Sequence, residues 1–307
     1  MYVEPGGKML FRRPARLFLL LCTALSLYTY LHLMLWSSDH GDMTFTEHNK
    51  GSFHIVSSFP YLLGNRKYRE MMGYGNYSKD ELVVRQQEFL ETLIENINNS
   101  VVGSVRLMIE TEEAVEYIKS QNLKHIEKII FHRIQSNHTY KEAFTYANDN
   151  LFGKFVIFMN GDIVLGDGFE KLDLRRLLVT RTAYALTRHA DHLHRCDMDN
   201  FCLKANYIGS HDVFVFHLKP KIEEKTLSVL DFPTNSHGAE NVLIDILRSD
   251  MKYTVLNPCY VLKLCQNNRY YKAMELKRSH NLDLEDMRIT KRSQSSQPLM
   301  YVYVTQT

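Results

Sequence analysis

The sequence predicts an α/β domain with a mainly parallel sheet, preceded by one transmembrane helix. Short apolar segments alternate with amphipathic helical segments between residues 53 and 159, and strands in such a series form right-handed βαβ units. The apolar segment 154–159 is typical of an interior strand buried on both faces. The membrane helix is predicted from a run of about 20 uncharged, mainly apolar residues, which matches the thickness of a bilayer.

The N-terminal elements follow from charge and hydropathy. Residues 1–15 carry three basic side chains and one acidic one, and we interpret them as a cytosolic tail. Residues 16–36 form the predicted signal-anchor, and the polar residues 37–51 a short stem. The basic flank stays in the cytosol, so residues 52–275 form a luminal domain, followed by an extension, 276–307. The alternative is a cleaved signal peptide, but its apolar region is usually shorter and ends at small residues.

The luminal orientation gives meaning to three sequons and four cysteines. The predicted glycosylation sites are Asn76, Asn98 and Asn137. Disulfides become more favourable than free thiols in an oxidising compartment. The candidates are Cys196, Cys202, Cys259 and Cys265, and three pairings remain open.

The first half of the domain follows a regular order. A strand at 53–56 precedes a long helix that starts at the capping box Ser78-Lys79-Asp80-Glu81. The following elements are a strand at 105–109, a helix at 111–120, a strand at 125–131, a helix from Thr139 to about 150 and the strand 154–159. Neither a P-loop nor Gly-x-Gly-x-x-Gly follows the first strand, which disfavours P-loop kinases and Rossmann oxidoreductases.

The second half is less regular and richer in polar motifs. We predict strands at 183–187, 213–216 and 253–256, and a helix from Ala239 to about Arg248. The loop 189–202 is dense in His and Cys. Because it lacks the paired spacing of structural zinc sites, a disulfide loop is the favoured interpretation. The net charge of +2 gives no reason to expect nucleic acid.

Three acidic residues are candidate site residues, each with a simpler alternative. Asp162 follows the strand 154–159 in Asn160-Gly161-Asp162, which is a turn signal but also lies where ligands bind in α/β sheets. Glu240 lies in the first turn of a helix, where it either compensates the helix dipole or acts as a general base. Asp212 precedes a strand, as a turn residue or as a ligand for a hydroxyl or a metal.

Together these motifs resemble nucleotide-sugar-dependent glycosyltransferases of the GT-A type. The motifs are Asn160-Gly161-Asp162-Ile163, Ala185-Leu186-Thr187-Arg188, Ser210-His211-Asp212-Val213-Phe214-Val215-Phe216, Glu240-Asn241 and Asn257-Pro258. The resemblance covers residues 52–270 and implies a GT-A-like fold, a nucleotide-sugar donor and a glycan, lipid or protein acceptor. The topology is similar to that of type II Golgi (or ER) glycosyltransferases.

The resemblance also implies roles for single residues. Asp162 would bind Mn²⁺ or Mg²⁺ at the donor diphosphate. Asn160, Arg188 and Asn241 would contact the donor, Asp212 would bind hydroxyls, and Glu240 would deprotonate the acceptor. The sequence departs from the family at Asn160, which replaces an acid, and at 263–268, where a histidine is missing. The alternative is a catalytically inactive relative that binds a glycan or a partner.

Overall fold

The computed structural model describes residues 49–134, 138–188, 211–234, 236 and 238–267. The strands within these ranges are β1 (Phe53–Ser58), β2 (Val102–Ile109), β3 (Ile129–Arg133), β4 (Phe155–Met159), β5 (Ile163–Leu165), β6 (Thr182–Leu186), β7 (Val213–His217), β8 (Thr254–Leu256) and β9 (Leu264–Gln266). The helices are α1 (Arg66–Met71), α2 (Lys79–Asn98), α3 (Glu112–Ser120), α4 (Tyr140–Asn150), α5 (Leu174–Thr180), α6 (Glu224–Val229) and α7 (Ala239–Ser249).

Seven strands form one sheet in the order β3-β2-β1-β4-β7-β6-β8. The pairs β1 with β2, β2 with β3, β1 with β4 and β6 with β8 are parallel. Only β7 runs antiparallel to its neighbours, β4 and β6. The prediction of an α/β fold with a mainly parallel sheet is therefore confirmed. Because β7 is reversed, its first residue, Val213, pairs with the last residue of β4, Met159.

The sheet separates two apolar cores. Side chains alternate along β4, so Ile157 and Met159 pack in one core while Val156 and Phe158 pack in the other. The first core includes residues of α2 and α3, and the second includes residues of α4 and α7. The interior position predicted for the strand 154–159 is confirmed.

Local capping explains where the helices α2 and α4 begin. The Ser78 hydroxyl accepts a hydrogen bond from Glu81 N at 3.3 Å, and the Glu81 carboxylate accepts one from Ser78 N at 2.6 Å. This reciprocal capping box starts α2, as predicted. At α4, the Thr139 hydroxyl accepts from Glu142 N at 3.2 Å. Both helices thus start where the sequence places them.

Other elements differ from the sequence expectations. The predicted strand at 125–131 begins with His125 at φ 62° and a 3₁₀ turn, Ile126–Lys128, so β3 starts only at Ile129. The short helices α1, α5 and α6 and the separate antiparallel pair β5–β9 were not predicted. Within the described ranges no helix is both long and apolar enough to cross a membrane. The predicted anchor, 16–36, lies outside those ranges.

Candidate functional site

Polar side chains from three strands meet at one edge of the sheet. Asn160, which follows β4, donates a backbone hydrogen bond to Asp212 O at 3.2 Å and a side-chain hydrogen bond to Asp212 Oδ1 at 3.1 Å. Asp212 N in turn donates to Leu186 O, the last residue of β6, at 3.2 Å. Arg188 Nη1 lies 3.8 Å from Asp212 Oδ2. The reversed β7 thus brings together three residues that the sequence predicts for the site.

Asp212 is buried, whereas Arg188 reaches the surface. The side chain of Asp212 is 4% exposed and that of Arg188 is 33% exposed. Asn257, which follows β8, is also buried at this edge, with its Nδ2 3.5 Å from Thr187 Oγ1. The edge therefore presents a guanidinium to solvent above a buried polar layer.

The buried Tyr140 lies next to Asn160 and Asp212, with which it lines one cavity. Burial raises the pKa of the Tyr140 phenol well above its ordinary value, and the negative charges of Glu240 and Asp212 raise it further. The phenol therefore stays protonated at physiological pH. No sequence signal singles out Tyr140 beyond its place in the first turn of a helix.

Backbone pairing fixes the position of Tyr140 at the start of α4. Tyr140 N donates to Phe232 O at 3.2 Å, and Thr234 N donates to His138 O at 3.1 Å. These bonds hold the start of α4 against the segment that leads into α7, whose first turn carries Glu240. Asn241 lies half-buried in the same turn, and its role in donor binding stays a prediction.

Asp162 has other partners than Asn160, namely side chains from α2 and β9. Its Oδ2 accepts hydrogen bonds from Arg85 Nη2 and from Gln266 Nε2, both at 2.8 Å. Arg85 Nη1 also donates to Glu88 Oε2 at 2.7 Å and to Asn267 O at 3.1 Å. Burial alone would raise the pKa of the Asp162 carboxyl, but the Arg85 guanidinium and the bond from Gln266 outweigh it. The pKa of Asp162 is therefore lowered, and the side chain is an ionised partner of Arg85.

The two polar side chains of the Asn160-Gly161-Asp162 turn have different hydrogen-bond partners. A Cβ at Gly161 would lie 2.4 Å from Ser58 O, so the turn packs directly against the end of β1. Asn160 bonds to Asp212, whereas Asp162 bonds to Arg85. Donor binding by these two residues stays a prediction.

This geometry does not fit a divalent cation held by Asp162. Mn²⁺ or Mg²⁺ needs several oxygen ligands, and a guanidinium already neutralises the carboxylate in question. A second cation beside Arg85 would be repelled at short range in a medium of low dielectric. Asn160 adds no charge, and its amide nitrogen is committed to Asp212. In the part of the chain that the structure describes, no three His, Cys, Asp or Glu side chains are grouped for a metal ion.

A small cavity lies beside Asn160 and Asp212. Its volume is about 20 Å³, which is room for about one water molecule. The polar residues that line it are Ser58, His138, Tyr140, Asn160, Asp212 and Thr234. His138 Nδ1 contacts Thr234 Oγ1 at 3.2 Å, and burial lowers the pKa of His138 to about 4. The imidazole is therefore neutral at physiological pH.

The remaining predicted site residues have separate outcomes. Cys259 and Cys265 are fully buried and disulfide-bonded, but their pairing stays a prediction because Cys196 and Cys202 lie outside the described residues. Asn137 lies outside them as well. Asn76 and Asn98 both occupy exposed positions.

Gly161→Ala is expected to lower the free energy of unfolding by about 1–3 kcal/mol, because the added methyl meets a backbone carbonyl that cannot move freely. Gly64→Ala is the matched control. Its methyl would meet the Tyr61 ring at 3.1 Å at an exposed site, so a loss below about 1 kcal/mol is expected. Urea unfolding of both variants checks the difference, and equal losses would contradict the packing described for the turn.

Glu110, which follows β2, makes stability depend on pH. Tyr68 donates to Glu110 Oε2 at 3.1 Å, yet burial raises the pKa of the Glu110 carboxyl to about 7 from 4.5. The folded state therefore keeps a proton that the unfolded state releases above pH 4.5. Its stabilising effect is complete below that pH and is lost as pH rises through 7, by roughly 3 kcal/mol.

Glu110→Gln should remove this dependence, because the amide imitates the protonated acid. We expect the variant to match the wild type near pH 4.5 and to exceed its unfolding free energy at pH 8. The measurement is urea unfolding across this range. Parallel pH profiles of the two proteins would show that Glu110 does not titrate in this window.

The fold and its polar edge define an α/β protein with a mixed, mainly parallel sheet. No protein-family model matches the chain, and no curated protein matches it. Solved structures similar to it include glycosyltransferases and nucleotidyltransferases. One is a mannosyltransferase from Pyrobaculum calidifontis in complex with GDP-Man and Mn²⁺, at 14% identity and a TM-score of 0.39, covering 80% of this chain and 66% of that one.

Two bacterial structures are similar at the same level. Staphylococcus aureus TarS in complex with UDP-GlcNAc has 11% identity and a TM-score of 0.41, covering 78% of this chain and 66% of that one. The glycosyltransferase GlyE of Streptococcus pneumoniae has 11% identity and a TM-score of 0.38, covering 80% of this chain and 60% of that one. The chain thus spans about two thirds of the length of these proteins or less. Similarity this low assigns no activity to the chain.

Proposed function

We propose that the chain is a glycosyltransferase that moves a sugar from a nucleotide-sugar donor to a hydroxyl of a glycan, lipid or protein. The observation that carries the proposal is the contact of Asn160 and Arg188 with Asp212 at one edge of the sheet, beside a cavity that Tyr140 also lines. In open α/β sheets, ligands bind outside the carboxyl ends of the strands. The chain therefore combines the usual binding edge with acidic and basic groups suited to sugar transfer.

Each residue has a role in the proposed reaction. The Glu240 carboxylate takes the proton of the acceptor hydroxyl while the hydroxyl oxygen bonds to the anomeric carbon of the donor. The bond between that carbon and the diphosphate breaks, and the nucleoside diphosphate leaves with the bonding electrons. Arg188 contacts the diphosphate through charge-assisted hydrogen bonds. Asp212 accepts hydrogen bonds from sugar hydroxyls, and the protonated Tyr140 phenol lies at the cavity that Asp212 also lines.

Nucleotide binding by the full-length chain tests the proposal. The chain is screened by thermal shift against UDP-, GDP-, CMP- and dTDP-sugars, with EDTA and with Mn²⁺. A donor that raises the melting temperature is then offered with acceptor glycans, and release of the nucleotide is measured. Failure of every nucleotide sugar to stabilise the chain in either buffer overturns the proposal.

A catalytically inactive binding protein is the second candidate. The observation that favours it is the ion pair of Asp162 with Arg85, which occupies the acid implied for the donor metal. This candidate predicts that a nucleotide sugar or glycan binds without turnover. Turnover of any donor excludes it.

The proposed location is the Golgi or ER membrane, with a single-pass type II topology and a luminal domain. Its supports are the apolar run at 16–36, its basic flank and the sequons. Glycans are expected on Asn76 and Asn98, whose positions are exposed and accessible to modification. Chain from mammalian cells should lose mass on treatment with peptide N-glycosidase, and N76Q and N98Q should each abolish one glycan. An unchanged mass after treatment contradicts the luminal orientation.

A further inference from the structure

We infer that nucleotide binding at this edge is independent of divalent metal, because Arg85 permanently occupies the cation position beside Asp162. The inference rests on the proposed function and specifies how its donor is bound. The family resemblance implies that Asp162 binds the metal. Whether nucleotide binding needs a metal therefore depends on the partner of this carboxylate. In this chain the partner is a guanidinium 2.8 Å away.

Arg85 is held from several directions. Its two terminal nitrogens contact Asp162, Glu88 and Asn267 O, and its Nε lies 3.4 Å from the Tyr74 hydroxyl. The guanidinium carbon also lies 4.5 Å from the centre of the Phe89 ring. Only 9% of its side chain is exposed. To free Asp162 Oδ2 for a metal, the bonds from Arg85 and Gln266 would both have to break.

Protonation cannot release the carboxylate either. An arginine guanidinium keeps its charge throughout the accessible pH range. Asp162 is thus matched with one positive charge in the folded protein under all physiological conditions. Gln266, which donates to the same oxygen at 2.8 Å, adds a second fixed contact.

Positive charge for a diphosphate must then come from protein side chains. Arg188 lies at the same edge and is one-third exposed. A guanidinium binds phosphate oxygens with paired N–H groups and does not require chelation by carboxylates. The structure therefore assigns the attraction of the donor diphosphate to an arginine.

Equilibrium binding of the full-length chain to UDP, GDP, ADP, CDP and dTDP tests the inference, with each nucleotide titrated in EDTA and in Mn²⁺. For the nucleotide that binds best, the Kd is expected to differ by less than about twofold between the two buffers. A Kd that tightens tenfold or more in Mn²⁺ overturns metal independence and leaves the proposed function standing. Absence of binding to every nucleotide in both buffers overturns the proposed function and this inference with it.

Two variants are each compared with themselves in EDTA and in Mn²⁺, so a loss of stability affects both buffers equally. Asp162→Asn should change the Kd by the same factor in EDTA and in Mn²⁺, since no metal is lost. Arg188→Gln should weaken binding about tenfold or more in both buffers. If Asp162→Asn weakens binding only in Mn²⁺, Asp162 is a metal ligand and the inference is wrong.

Discussion

Arg85→Met is expected to lower the free energy of unfolding by about 3–5 kcal/mol, because it leaves the Asp162 carboxylate charged and buried without its partner. The side chains of this pair are 9% and 10% exposed, so water cannot compensate for the lost contact. Urea unfolding at neutral pH measures the loss. Methionine approximates the length of the arginine stem, so the change mainly removes the charge and its hydrogen bonds.

Arg66→Met is the matched control for this prediction. Arg66 forms an ion pair with Glu70 at 2.7 Å, but the two side chains are 79% and 49% exposed. Exposed pairs contribute little, so a loss below about 1 kcal/mol is expected. A double variant, Arg85→Met with Asp162→Asn, should lose less than the sum of its single changes. If Arg85→Met costs no more than Arg66→Met, the buried pair is not a major source of stability.

Glu240→Gln is expected to lower the rate of sugar transfer by about 10²–10⁴-fold while leaving nucleotide binding nearly unchanged. The amide keeps the size of the side chain but cannot accept the proton of the acceptor hydroxyl. The two measurements are steady-state turnover with the best donor and acceptor pair and the Kd of the nucleotide.

Glu224→Gln separates catalysis from the helix dipole. Glu224 also lies in the first turn of a helix, α6, and is exposed. If acids at these positions serve only the dipole, both substitutions should have the same small effect on stability and none on turnover. Unchanged turnover in Glu240→Gln would remove this residue from the role of base.

The frame of the fold could be predicted because its signals are local. Capping at Ser78 and Thr139 lies within four residues of the helix start, and the continuous apolar run of β4 is visible in five residues. The pair β5–β9 joins Ile163 with Gln266, and no local pattern specifies a contact across about 100 residues. Three-residue strands also lack the length for a periodic signal.

The site was predictable only in part for the same reason. Asn160 and Arg188 could be expected at one edge because βαβ units place the carboxyl ends of strands together. Asp212 precedes its strand and meets them only because β7 is reversed. Arg85 could not be expected, since it reads as one of the polar residues of an amphipathic helix while its partner Asp162 lies 77 residues away. Tyr140 likewise depends on the pairing of α4 with the segment before α7. Buried polar contacts between distant segments are a property of packing, and residue spacing does not encode them.

The reversal of β7 has a consequence for how this protein could diversify. Because β6 and β7 are antiparallel neighbours, Leu186 and Val213 pair at the same edge of the sheet. Arg188 and His211, the described residues on either side of 189–210, therefore both lie at this edge, with their positions fixed by the ladder. The length and composition of this connection can change without altering the register of either strand. Exchanging it is therefore expected to change the surroundings of Arg188 while the free energy of unfolding of the sheet stays nearly the same.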